Sequence, residues 1–171
     1  MKILLLVIIV LISSMIGYTY GENFKNRLLQ LREIKRALID FENDIVYLYT
    51  ALPESLENIA HKSKDPIREF FYLVSLKLKN NEVNNVYMAF YESINEHKKN
   101  MNLKEEDYEI LLDLSKSLGE TNIEGQLKIF NLAKEKLDYE LTIAEDECNK
   151  NIKVYRYLGV GVGAMIAIFL I

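Results

Sequence analysis

The chain is poor in the residues that build turns, disulfides and metal sites. Its 171 residues include two prolines, seven glycines, two histidines, one cysteine and no tryptophan. A single cysteine, Cys148, excludes an intramolecular disulfide and any multi-cysteine zinc site. Glycine is scarcer than its count implies. Gly17, Gly159, Gly161 and Gly163 lie in apolar ends and Gly21 at a boundary, which leaves Gly119 and Gly125 beside Pro53 and Pro66 in the middle. A β-sandwich or an α/β domain needs far more turn residues, so neither fits. Charge is missing from two stretches: residues 1–20 carry only Lys2, and residues 157–171 carry none. All 25 acids and 20 of the 21 basic residues therefore fall between Gly21 and Arg156. A net charge of -4 gives no reason to expect nucleic acid as a partner.

What the ends do contain is apolar. Ile3 to about Tyr20 is interrupted only by Ser13, Ser14 and Thr19, close to the ~20 residues that cross a bilayer as a helix. A cleaved signal peptide is the competing reading, but no Ala-x-Ala pattern follows the apolar core, so a retained anchor is expected. The run Tyr157–Ile171 is slightly short for a span and is completed by Val154 and Tyr155; its lack of any charge argues against a buried soluble helix. The organisation expected is an anchor over 1–20, a cytoplasmic bundle over 21–156 and a second membrane segment over 157–171. Lys25, Arg27, Arg32, Lys35 and Arg36 follow the first run, and Lys150, Lys153 and Arg156 precede the second. Positive charge on the cytoplasmic side then places the middle of the chain inside and both termini outside. Small residues recur at four-residue spacing, Ser13, Gly17 and Gly21 in one run and Gly159, Gly163 and Ala167 in the other. On a helix that spacing makes a stripe where another backbone can approach, so Ser13, Gly17, Gly159 and Gly163 are candidate membrane-packing residues. Tyr18, Tyr20, Tyr155 and Tyr157 sit where an aromatic belt would meet lipid headgroups.

The middle reads as helices throughout. Phe24, Leu28, Leu31, Ile34, Leu38, Phe41, Ile45 and Leu48 recur every three or four residues, one face of a helix over Glu22–Tyr49 about 42 Å long. Pro53 fits the first turn of a short helix with Leu52, Leu56 and Ile59 inward. Asp65-Pro66 reads as an N-cap and first helical residue, with Ile67, Phe70, Phe71, Val74 and Leu78 as the buried face. Val83, Val86, Tyr87, Phe90 and Ile94 mark the next helix. Asn102 with Glu105 resembles a cap for a helix facing inward through Ile110, Leu111, Leu114 and Leu118. Thr121 with Glu124 reads as a capping box for the last, whose apolar stripe runs from Ile123 to Tyr155 without a breaker before the second apolar run. Six helices follow, the two long ones antiparallel in a bundle.

Catalytic chemistry finds no support. His61 and His97 are too few for most metal sites, and the Glu-x-x-His signature of carboxylate-bundle metal proteins is absent. Glu145, Asp146 and Glu147 point to different faces of one helix, and Cys148 continues its apolar stripe. No phosphate loop or nucleophile elbow occurs, and Gly159, Gly161 and Gly163 lie inside an apolar helix rather than after a strand. No catalytic, cofactor or metal residue is expected. Eleven tyrosines are the surplus that calls for a role. Adjacent aromatics such as Phe70, Phe71 and Tyr72 cannot all face inward, so an exposed aromatic docking patch is expected.

Three segments together carry a resemblance: Gly21…Arg27…Gln30-Leu31-Arg32, then Tyr49-Thr50-Ala51-Leu52-Pro53-Glu54-Ser55-Leu56, then Leu118-Gly119-Glu120-Thr121-Asn122…Gln126. With two terminal apolar runs and this length, the chain resembles the stage III sporulation protein AB family. That family is similar to the cytoplasmic domain of the type II secretion and type IV pilus platform protein. The resemblance implies an all-α, six-helix bundle of the platform-domain type flanked by N- and C-terminal transmembrane helices. It implies a non-enzymatic part in the mother cell–forespore channel, in the mother-cell-derived membrane facing the forespore. The implied partners are a secretion-type ATPase (stage III sporulation protein AA), other channel proteins, membrane lipid and a possible second copy of the chain. Leu52, Pro53, Glu54, Gly119 and Gln126 become candidate docking or fold-defining turn residues. A membrane-anchored sensory bundle is the alternative reading.

Overall fold

The computed structural model describes residues 2–118 and 122–169, which form six α-helices and no strand among the described residues. α1 (Lys2–Glu42) passes into a π-helical turn, Asn43–Tyr47; then come α2 (Leu52–Lys62), α3 (Ile67–Lys79), α4 (Val86–His97), a 3-10 turn at Lys98–Asn100, α5 (Glu105–Ser117) and α6 (Ile123–Phe169). The first apolar run and the first charged amphipathic stretch are therefore one helix. Two compact units divide the chain: Leu29–Leu141, and Met1–Leu28 with Thr142–Ile171.

In the Leu29–Leu141 unit the core follows the three-and-four spacing of the sequence. Leu31, Ile34, Leu38 and Phe41 of α1, Leu56 and Ile59 of α2, Phe70 and Phe71 of α3, Phe90 of α4, Leu111 of α5 and Phe130 of α6 are all fully buried. Each such side chain contributes about 1.5–3 kcal/mol relative to exposure. Phe130 meets Phe41 edge-on at 5.4 Å between centroids, and Phe90 meets Phe70 in the same manner at 5.7 Å. Polar ties fix the helices at defined heights. Ser75 Oγ donates to Pro53 O at 2.7 Å, joining α3 to the start of α2. Gln30 accepts the Asn102 N–H at 2.9 Å, and Lys134 donates to Glu42 at 2.6 Å. Lys77 is buried between Glu96 at 2.9 Å and Glu92 at 3.1 Å. Its hydrogen bond to Glu96, then that to Glu92, holds its pKa above the usual lysine value despite desolvation.

Helix starts differ from the sequence expectations where a side chain is used elsewhere. Pro66 is the capping residue of α3 rather than its first residue, and Asp65 pairs with Arg68 at 2.6 Å. Asn102 is engaged with Gln30, so the cap of α5 falls two residues later, at Lys104, whose N–H donates to Asp107 at 2.8 Å. α4 starts at Val86, capped by Asn85, whose side chain accepts the Met88 N–H at 2.8 Å; Val83 lies in the preceding loop. For α6, Thr121 lies outside the described residues, and Asn122 accepts the Gly125 N–H at 2.9 Å.

The largest departure is at the end of α1. Leu48 leaves the apolar face and is 67% exposed, because the helix widens there to five-residue hydrogen bonding, with Leu48 N–H donating to Asn43 O at 3.1 Å. The wider turn keeps Ile45 and Val46 buried but shifts the register so that Leu48 no longer falls on the buried stripe.

Candidate docking tip and helix-packing seam

The π-helical turn produces an exposed apolar tip in the Leu29–Leu141 unit. Tyr47, Leu48 and Tyr49 stand in solvent one after another. Tyr49 takes a left-handed backbone, φ 54°, which costs a non-glycine residue about 1–2 kcal/mol and must be held by its surroundings. Buried Asp44 holds it twice: its carbonyl accepts the Thr50 N–H at 2.9 Å, and its carboxylate accepts Ser55 Oγ at 3.2 Å. Strained backbone held beneath exposed aromatics makes this tip the candidate contact surface. Three-and-four spacing placed Leu48 on the buried face and missed this tip; the signal that could have found it is three large apolar side chains in succession, since no helix face takes all three.

The turn residues nominated from sequence lie on several elements: Leu52, Pro53 and Glu54 open α2, and Gln126 opens α6. Leu52 is half-buried and borders a cavity of ≈ 310 Å³ with Val86, Tyr87, Lys116 and Leu118. Lys116 lies 5.7 Å from the centroid of the Tyr87 ring, and Tyr87 stacks on Tyr91 at 6.1 Å. Pro53 sits in the first turn of α2 and supplies the carbonyl that Ser75 uses, a fold-holding role. Glu54 is exposed one residue on. Gln126 is in the first turn of α6, its N–H donating to Asn122 O at 2.9 Å. Gly119 lies outside the described residues. Of the other aromatics, Phe70, Phe71 and Phe90 are core, whereas Tyr72 and Tyr91 are exposed.

The second unit, Met1–Leu28 with Thr142–Ile171, is built differently. Gly17 of α1 and Gly159 of α6 bring two backbones together. A Cβ on Gly17 would come within 2.5 Å of Tyr155 O and 2.9 Å of Gly159 Cα; one on Gly159 would lie 2.9 Å from Ser13 O and 3.0 Å from Gly17 Cα. Ser13 Oγ donates to Gly159 O at 2.7 Å across the same seam. A Cβ on Gly163 would meet Val10 Cα at 3.0 Å, whereas Gly161, two residues away, faces open space. Below the seam Tyr155 stacks on Tyr20 at 6.0 Å and lies 5.6 Å from Phe24. Arg27, one of the basic residues that set the expected orientation, is buried and pairs with Glu147 at 3.1 Å. Among the described residues one helix, Val7–Tyr47, is long and apolar enough to cross a membrane.

No group of three or more histidine, cysteine, aspartate or glutamate side chains gathers at metal-binding distance among the described residues. His61 is exposed in the last turn of α2, and His97, in the last turn of α4, lies 3.7 Å from Glu69.

Residues 2–171 match the family described as Stage III sporulation protein AB (spore_III_AB). The chain is 26% identical over 170 residues to stage III sporulation protein AB of Bacillus subtilis (strain 168), covering 99% of each. A solved structure of a stage III sporulation protein AB superposes with a TM-score of 0.67 at 26% identity, covering 72% of this chain and 96% of that one. With the match running over essentially its full length, this chain belongs to the stage III sporulation protein AB family.

Proposed function

We propose that this chain is a non-enzymatic membrane component of the mother cell–forespore channel, docking a secretion-type ATPase and coupling it to the membrane assembly. The observation that carries the reading is that one helix, α1, runs from an apolar, span-length segment into the core of the bundle at Phe41, in a chain whose family match is full-length. α6 extends in the same way from Phe130 in the core to the uncharged residues that end at Phe169. A helix is stiff along its axis, so two such helices would pass a push on the bundle into the bilayer. The Ser13, Gly17, Gly159 and Gly163 seam supports two spans packed backbone to backbone, since small residues do this work where lipid removes the hydrophobic drive between helices. Basic residues beside both apolar runs support a cytoplasmic bundle on the mother-cell side. The Tyr47–Tyr49 tip is the surface proposed to meet the ATPase, stage III sporulation protein AA, and the bundle is proposed to be of the platform-domain type.

Two residues, Gly-Gly, inserted after Ile152 in the parent sporulating organism test the coupling. The account expects the protein to accumulate in the membrane while sporulation fails. Normal sporulation with that insertion would remove the coupling role.

A further inference from the structure

A second surface of the Leu29–Leu141 unit is formed by α5 and α6. Between α5 and α6 runs a cleft of ≈ 430 Å³, continuous with a smaller one of ≈ 110 Å³ through the shared residues Ile110, Asp113, Leu132 and Lys136. Along α6 the two extend from Ile129 to Glu140, about 16 Å or three helical turns. The floor is apolar, with Ile110 and Leu114 buried beneath it, while Leu132 is 53% and Tyr139 68% exposed. Leu132 and Tyr139 are seven residues apart and share one face of α6. The rim is acidic: Glu106, Glu109, Glu135 and Glu140 ring the cleft. Lys136, its one basic lining residue among those described, is already held by Asp113 at 2.9 Å, and Asp113 also takes Lys116 at 3.0 Å. Those two lysines hold the Asp113 carboxyl below its ordinary range, so the internal pairs are satisfied as they stand.

We propose that this cleft receives a three-turn amphipathic helix of a partner protein, apolar on one face and rich in lysine or arginine on its flanks. The length matches, the exposed Leu132 and Tyr139 offer apolar anchors, and the carboxylate rim complements flanking positive charge. The same rim repels anionic lipid headgroups and nucleic acid. This surface shares no residue with the tip and does not depend on the ATPase reading.

The test uses the full chain in nonionic detergent and a fluorescent 14-residue helical peptide of leucine and lysine in amphipathic register, with binding to empty micelles subtracted. Glu109→Lys with Glu135→Lys is expected to weaken binding at least tenfold. Leu132→Ser is expected to weaken it several-fold while leaving the salt dependence intact. All three positions are exposed, so folding is retained, and circular dichroism checks it. Glu82→Lys with Glu124→Lys makes the same change in net charge outside the cleft and is expected to stay within twofold of the parent. Equal weakening by that control pair, or no weakening by the cleft variants, would overturn the proposal. So would a peptide-free dimer that the cleft substitutions dissociate, since the occupant would then be a second copy.

Discussion

The two units solve the same problem, holding helices together, with opposite materials. In Met1–Leu28 with Thr142–Ile171 the seam is made by what is absent: Gly17 and Gly159 have no side chain, and backbone atoms approach to distances a Cβ would block. In Leu29–Leu141 the helices are held by bulk, with five phenylalanines fully buried and ion pairs at the edges. The difference follows from surroundings. Water drives apolar bulk inward in one unit, and lipid, as proposed for the other, does not, so close approach must carry the association. Conservative changes should therefore have reversed consequences in the two places.

Adding bulk to the seam is the harshest test of that contrast. Gly17→Leu or Gly159→Leu places atoms inside backbone van der Waals distance, and overpacking of this kind costs about 1–3 kcal/mol or more. Gly161→Leu, facing open space, is the internal control. Thermal unfolding of the detergent-solubilised chain should fall for the first two and hold for the third; a uniform response would mean the seam is not specific. Removing bulk is the matching test in the bundle. Phe41→Ala or Phe130→Ala is expected to cost about 3–5 kcal/mol in denaturant unfolding, because both rings are fully buried against each other. Lys134→Ala comes next, at about 2 kcal/mol, since it leaves the nearly buried Glu42 carboxylate without its lysine.

A pH profile sharpens the comparison further. Burial pushes the Glu33 carboxyl up, but its hydrogen bonds from Arg36 at 2.5 Å and the Lys64 N–H at 2.9 Å outweigh that and hold it below its ordinary 4.5. A carboxyl depressed in the folded state adds stability above its unfolded pKa and loses it as pH falls through the folded value. Glu33→Gln should thus lower stability at neutral pH and flatten the acid limb below about 4.5 in urea titrations. An acid limb of unchanged slope would show that Glu33 is not part of it. The smallest effect is at the tip: Tyr49→Gly relieves a left-handed backbone and should leave stability level or up by about 1 kcal/mol.

Most of the helical frame was legible because three-and-four spacing and a shortage of turn residues leave few choices; the faces at Leu31 to Phe41 and Ile110 to Leu118 are buried as spaced. Helix starts were less legible, since Asn102 and Asp65 each have a second partner that a linear reading does not reveal. The π-helical turn had no signature in Asn43–Tyr47 itself, and with it went the placement of Leu48. The Gly17 and Gly159 contact follows the small-residue spacing, whereas the α5–α6 cleft joins residues some 25 positions apart and needed the fold to assemble it.

The most direct test of the proposed role is recovery of partners with the full chain, solubilised from membranes of the sporulating parent cell. The account predicts a secretion-type ATPase in the eluate, lost when Tyr47 and Tyr49 are both changed to serine and kept when Gly161 is changed to alanine. Recovery of lipid alone, or ATPase recovery indifferent to the tip, would contradict it.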